Sequence, residues 1–205
     1  MVRTWIFDFD GTLMDTMGAL SQHAARILSA LYDVPHPEAL ERYRTTTGLP
    51  FSLQVAQQFP DHPRNETAIA AFEAIKEHYV TWSRPFPEVP ATLTALRGRG
   101  DFVAISSNNF QHIVEKAVQA FALPVDLVCG WTGTHLKGPA HFSRVLAASG
   151  STAEAACFVG DSLNDARIAT AAALPFVGRA GTFAASEFLT HFPSVTVIHS
   201  LKELL

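Results

Sequence analysis

Apolar residues recur along this chain in two rhythms, and the change from one to the other divides it. The opening run "TWIFDF", Thr4 to Phe9, reads as a short buried strand that ends where polar residues and Gly11 begin a loop. From about Met17 to Ser83 apolar residues fall three and four apart, in "GALSQHAARILSALYDV", "PEALERYRTT", "LPFSLQVAQQF" and "NETAIAAFEAIKEHYVTWS". Breaks at Pro35, Gly48, Pro60 and Pro63 predict about four helices there. Beyond the proline-rich "RPFPEVP", short apolar runs ("DFVAIS", "VDLVCG", "ACFVGD", "LPFVG", "VTVIHS") alternate with helical segments such as "FQHIVEKAVQAFA" and "PAHFSRVLAAS". Such alternation predicts βαβ units and a parallel sheet.

The simplest architecture is an α/β core of residues 1–16 and 85–205, with a helical module of residues 17–84 inserted after the first strand. Open parallel sheets bind ligands at the carboxyl ends of their strands, so a module attached at that edge can cover a site. A chain of 205 residues is long enough to bury a substantial core without staples. Its formal charge of -4 and the lack of any basic run argue against nucleic acid as a partner. The two cysteines, Cys129 and Cys157, sit in apolar stretches with no CxxC spacing, which predicts a reducing compartment. No stretch approaches the roughly 20 apolar residues of a membrane span, and no signal peptide is recognisable, so the expected location is the cytoplasm, with no membrane partner. None of the nine histidines forms an HxH or HExxH pattern of the kind that holds zinc.

Four places join a strand end to polar chemistry. In "FDFDGTL" the strand period of two sets Asp8 and Asp10 on one side locally, and two carboxylates that close repel unless a divalent cation neutralises them or one is protonated. In "VAISSNNF" a buried strand delivers Ser106, Ser107 and Asn108 to a helix start, an anion-binding corner or a set of structural caps. In "THLKGPAHF" Lys137 precedes a Gly-Pro helix start, where a lone lysine is ordinarily solvated. In "CFVGDSLNDARIATAA" a strand ends in Gly160 and Asp161, with Asp165 one helical turn on; in isolation that is an Asp cap and a stray acid. Together, four aspartates at two strand ends, a hydroxyl at a third and a lysine after a fourth describe a metal-bound phosphate site with an acidic nucleophile.

These residues resemble a known family. Asp8-x-Asp10-Gly11-Thr12-Leu13, Ser106 after an apolar strand, Lys137, and Gly160-Asp161-Ser162-x-x-Asp165 are similar to the four ordered motifs of the haloacid dehalogenase (HAD) superfamily. The helical insert resembles the C1 cap of its phosphoglycolate phosphatase-like branch, and the resemblance covers essentially the whole chain. It implies a Rossmann-like sheet of strand order 5-4-1-2-3 and a Mg²⁺-dependent phosphatase acting on a small phosphorylated metabolite. Asp8 would attack phosphorus to form an aspartyl-phosphate, and Asp10 would serve as general acid and base while its backbone carbonyl contacts the metal. Asp8, Asp10 and Asp161 would hold Mg²⁺, with Asp165 supporting them from behind or through water. Ser106 and Lys137 would hold the phosphoryl oxygens, with Thr12, Ser107 and Asn108 as further phosphate contacts.

An Asp at position 10 favours phosphatase or phosphomutase chemistry, since the dehalogenase branch lacks an acid there and P-type ATPases carry Thr. A mutase of the β-phosphoglucomutase type and a non-catalytic phosphate- or partner-binding module are the alternatives. One departure is local: branch members often carry Lys-Pro-x-Pro where this chain reads Lys137-Gly138-Pro139, so the lysine loop has a different shape. Specificity is expected from "RTTTGLPF", in particular Thr47, Gly48, Leu49 and Pro50, which reads equally well as an interhelical turn. Hinges are expected near Met14–Gly18 and Arg84–Glu88, with Asp15 in a structural role.

Overall fold

The computed structural model describes residues 3–205. Its centre is one parallel sheet of six strands: β1 (Thr4–Phe7), β2 (Phe102–Phe110), β3 (Leu127–Trp131), β4 (Ala156–Gly160), β5 (Phe176–Arg179) and β6 (Thr196–Ile198). They lie in the order β3-β2-β1-β4-β5-β6. The order 5-4-1-2-3 is therefore present, and the run "VTVIHS" extends it by a sixth strand beyond β5.

Every residue of β1 is buried, because the strand has neighbours on both sides and helices on both faces. Its side chains alternate between two cores. Trp5 and Phe7 join Val103, Ile105, Leu93 and Leu96 on one face, whereas Ile6 joins Ala104, Phe142, Val145 and Phe158 on the other. The covering helices are α6 (Val89–Gly98), α7 (Gln111–Ala120), α8 (Pro139–Ser149), α9 (Leu163–Ala171) and α10 (Ala185–His191), which follow five more in the insert.

Those five are α1 (Met17–Tyr32), α2 (His36–Thr45), α3 (Phe51–Gln58), α4 (Asn65–Lys76) and the single turn α5 (Tyr79–Trp82). They enclose a separate apolar cluster built on Leu20, Leu28, Tyr43, Phe51, Val55 and Phe72. The segment "NETAIAAFEAIKEHYVTWS" reads as one helix in sequence but breaks at Glu77 and His78. The break lets neighbouring turns serve two cores: Phe72 packs in the insert, while Tyr79 turns to stack on Phe9 in the main one. None of the described helices is long and apolar enough to cross a membrane.

The two crossings between insert and core run side by side. Met14 and Pro85 form an antiparallel bridge, the Asp15 amide donates to the Arg84 carbonyl at 2.9 Å, and the Phe86 amide donates to the Leu13 carbonyl at 3.0 Å. The Asp15 side chain is exposed, so its part here is backbone pairing.

Candidate active site

Register brings three strand ends level. Phe7 pairs with Ile105 on one side and Val159 on the other, so Asp8 follows beside Ser106 and Gly160, and its amide donates to the Val159 carbonyl at 2.8 Å. Asp8, Asp161 and Asp165 are all buried, and each offers a carboxylate oxygen within 4.8 Å of the others. Lys137 reaches in from the loop before α8, with Nζ 2.7 Å from Asp8 Oδ1 and 2.6 Å from Asp165 Oδ1.

Burial opposes charge throughout this cluster. It raises the Asp8 carboxyl well above its usual range, with Lys137 opposing and Asp165 and Asp161 reinforcing the rise. Burial and then the neighbouring Asp165 push Asp161 up to about 7, against the Thr182 hydroxyl that donates to its Oδ2. Burial also disfavours the Lys137 ammonium, but Asp165 and Asp8 more than offset it and raise its pKa. One ammonium thus faces three carboxylates, an excess of buried negative charge that a divalent cation would relieve.

Local rules explain how the acids come together. Ser162, not Asp161, caps α9: its hydroxyl accepts from the Asp165 amide at 3.1 Å, while Asp165 Oδ2 accepts from the Ser162 amide and hydroxyl at 3.1 and 2.6 Å. Asp161 is thereby left to face the cavity. Gly11 serves two ends: its φ of +81° makes the turn after β1, and a Cβ there would stand 2.0 Å from Asp161 Oδ2.

The Asp10 side chain lies outside the carboxylate trio. Its Oδ1 accepts from Tyr79 at 2.5 Å and from Thr16 at 2.8 Å, and its Oδ2 accepts from Asn109 Nδ2 at 3.2 Å. As a cation ligand Asp10 therefore has its backbone carbonyl to offer, and its carboxylate is held for other work.

The serine pair requires a correction. Ser106 points away from the cavity, where its hydroxyl bonds His141 Nδ1 at 3.1 Å, and it is Ser107 that lines the cavity beside Asn108. Successive strand residues face opposite sides, so only one of the two can reach a ligand. Asn108 is there, but its amide is occupied: Oδ1 accepts from the Lys137 amide at 2.8 Å and Nδ2 donates to the Gly48 carbonyl at 2.9 Å. Thr12 is fully buried beneath the turn, with its amide 3.4 Å from the Phe9 carbonyl, and does not line the cavity.

Thr47, Gly48, Leu49 and Pro50 do line it, opposite Asp8, Asp161 and Lys137. Gly48 is seated hard on the core. Its carbonyl accepts from Asn164 Nδ2 at 3.2 Å as well as from Asn108, and a Cβ would fall 2.4 Å from Ser162 Oγ. Thr47 spends its hydroxyl on the Tyr43 carbonyl at 3.1 Å, the structural half of the expected reading. A second tie joins Arg44 to Glu187 at 2.9 Å. The cavity left between the two parts measures about 70 Å³.

Several contributors have no motif to mark them. Tyr79, Thr16 and Asn109 hold Asp10, Thr182 holds Asp161, and Arg179 donates to the Gly11 carbonyl at 3.2 Å while lying 3.5 Å over the Phe86 ring. Asn109 stands one residue beyond the expected polar cluster and Thr16 only six residues after Asp10; the others meet the site only through the tertiary fold.

Comparison with known proteins agrees with this geometry. Residues 5–178 match the haloacid dehalogenase-like hydrolase family. The phosphoglycolate phosphatase of Aquifex aeolicus is 27% identical over 170 residues, 78% of this chain and 76% of the relative. That of Agrobacterium fabrum is 26% identical over 185 residues, 84% of this chain and 78% of the relative. Among solved structures, a haloacid dehalogenase-like family hydrolase from Streptococcus pneumoniae superposes with a TM-score of 0.80 at 18% identity, covering 99% of this chain and 96% of the other. A HAD-superfamily hydrolase of subfamily IA from Geobacter sulfurreducens gives 0.67 at 23%, covering 99% and 94%. With the acids, the lysine and the sheet order in the arrangement described, the chain belongs to the haloacid dehalogenase-like hydrolase family.

Proposed function

We propose that this hydrolase is a Mg²⁺-dependent phosphatase that cleaves a small phosphomonoester through an aspartyl-phosphate, as a phosphoglycolate phosphatase-like enzyme of the cytoplasm. The observation that carries the reading is Lys137 set between Asp8 and Asp165 with Asp161 beside them, at the ends of adjacent strands.

Asp8 is the nucleophile. A carboxylate oxygen forms a bond to phosphorus as the bond from phosphorus to the alcohol oxygen breaks, and Lys137 steadies Asp8 through Oδ1. Asp10 gives the departing oxygen its proton. In the second step it takes a proton from water, which attacks phosphorus, releases inorganic phosphate and restores Asp8. Ser107 takes the phosphoryl-binding part expected of Ser106, since it is the serine that faces the cavity.

The donor set fits Mg²⁺, which prefers oxygen ligands. Asp8, Asp161 and the Asp10 carbonyl would hold it, with Asp165 locked behind by Ser162 and Lys137. When bound, the ion neutralises charge on the carboxylates and on the phosphoryl oxygens. Residues 17–84 act as a cap that swings on the paired crossings at Met14 and Pro85. Cys129 and Cys157, buried and unpaired, suit a reducing compartment.

The test is phosphate release from a panel of phosphorylated metabolites with Mg²⁺ and with chelator. Stoichiometric inorganic phosphate that disappears with chelation is the expected result. Transfer of phosphate within a sugar without release, or no turnover of any ester, overturns the reading.

A further inference from the structure

The cavity over Asp8 has a second end, built by the insert. Met17, Leu20, Phe51 and Phe72 form an apolar wall, and two polar side chains, Tyr43 and Lys76, stand in it. Tyr43 is only 5% exposed, yet no hydrogen bond among the described residues uses its hydroxyl. Burial keeps that phenol protonated and so a donor. Lys76 is 8% exposed and has one carboxylate near it, Glu73 Oε2 at 3.0 Å. An ammonium carries three donors, and a buried one is costly unless its hydrogens are used.

Both residues flank one ring. Lys76 Nζ lies 5.1 Å from the Phe72 centroid, and the Tyr43 ring lies 5.9 Å from it. Further acceptors at this end are few: Glu73, which pairs with Lys76, does not line the cavity, and the Gln54 amide is occupied, donating to the Leu49 carbonyl and accepting from Thr46, each at 2.9 Å. Tyr43 and Lys76 therefore line an apolar end of the cavity with the phenol unpartnered among the described residues and the ammonium paired to Glu73 alone. A neutral hydrocarbon leaving group would leave the phenol without a partner and the ammonium with Glu73 as its one acceptor.

We propose that Tyr43 and Lys76 form a leaving-group subsite for an anionic oxygen group, so that the substrate is a compact phosphomonoester bearing a second negative charge on its alcohol portion. The inference rests on the phosphatase reading above. Size narrows it further. The cavity of about 70 Å³ is far below the roughly 300–1,000 Å³ of pockets that enclose drug-sized ligands, so the alcohol portion has only a few carbon atoms. A carboxylate and a second phosphate share the required chemistry.

The test compares kcat/KM for phosphoglycolate, ethane-1,2-diol bisphosphate and neutral ethyl phosphate, with p-nitrophenyl phosphate as a general phosphatase substrate. At least one anionic ester is expected to exceed ethyl phosphate about tenfold or more, and the better of the two identifies the group. In Lys76→Met that ratio should collapse about 10- to 100-fold, Tyr43→Phe should lower it less, and Lys76→Arg should restore it. Thermal melting of each variant checks folding. Hydrolysis without preference for either anionic ester, or an unchanged ratio in folded Lys76→Met, overturns the subsite alone. If p-nitrophenyl phosphate and every other ester resist hydrolysis, the phosphatase reading falls and this inference with it.

Discussion

The Tyr79 hydroxyl donates to Asp10 Oδ1 at 2.5 Å although the two residues are 69 positions apart. Asp10 belongs to the turn after β1 and Tyr79 to the final turn of the insert, so the proposed acid is held by residues from both sides of the crossing. Tyr79→Phe should lower kcat/KM for an alkyl phosphate by about tenfold or more, and that for p-nitrophenyl phosphate much less, because nitrophenolate leaves with little protonation. Equal losses on the two esters would reduce Tyr79 to packing.

Ser106 and Ser107 are consecutive residues of β2 and should differ sharply in effect. Ser107→Ala, which removes a donor facing the cavity, should cost about 10²-fold in kcat/KM. Ser106→Ala breaks the bond to His141 and should appear mainly as a lower melting temperature. Steady-state kinetics and melting curves on the pair decide it; the opposite pattern would return the phosphoryl contact to Ser106.

Asp8→Asn keeps the shape of the side chain and removes the attacking charge. Turnover should fall by about 10⁴-fold or more with the fold retained. Activity within tenfold of the parent would exclude Asp8 as nucleophile.

Gly48 has a φ of +96° and no room for a Cβ against Ser162. Gly48→Ala should strain the loop by about 1 kcal/mol and hold the cap off the core. A fall in kcat together with faster proteolysis of the insert is expected; kinetics like the parent's would mean that the loop seats itself another way.

His141 links site and stability through pH. Burial pushes it down to about 4 from an ordinary 6.5, so between those values the unfolded chain takes up a proton that the folded chain refuses. Stability therefore rises with pH across that window and is lost on acidification through it. Denaturant midpoints at pH 7, 6 and 5 should fall more steeply for the parent than for His141→Gln. Parallel slopes would remove His141 from the account.

Much of this was legible in the residues because strand ends carry chemistry in a parallel sheet. The alternating rhythm after Pro85 yields the sheet, and acids placed just beyond "TWIF" and "CFVG" must meet once those strands pair. The facing of "SS" in "VAISSNNF" was not legible, since two identical residues carry no pattern that says which is turned inward. The break between Lys76 and Tyr79 was hidden for a related reason. Helical periodicity records which positions are apolar, not that Phe72 and Tyr79 pack in different cores. Contacts such as Arg179 to Gly11 and Thr182 to Asp161 join segments more than a hundred and about twenty residues apart, and no local spacing announces them.

The position of β1 and β4 has a kinetic corollary. Each has a paired strand on both flanks, so amides there have no edge from which to fray and should exchange with solvent only when the whole sheet opens. Asp8 and Asp161 are thus mounted on the slowest-exchanging part of the molecule. Gly48, on the other jaw, is tethered to the core by side-chain bonds from Asn108 and Asn164 that can break while the sheet stays intact. Deuterium would enter the two jaws of one cavity on different clocks, with the attacking group on the slow one and the residues that enclose it on the fast.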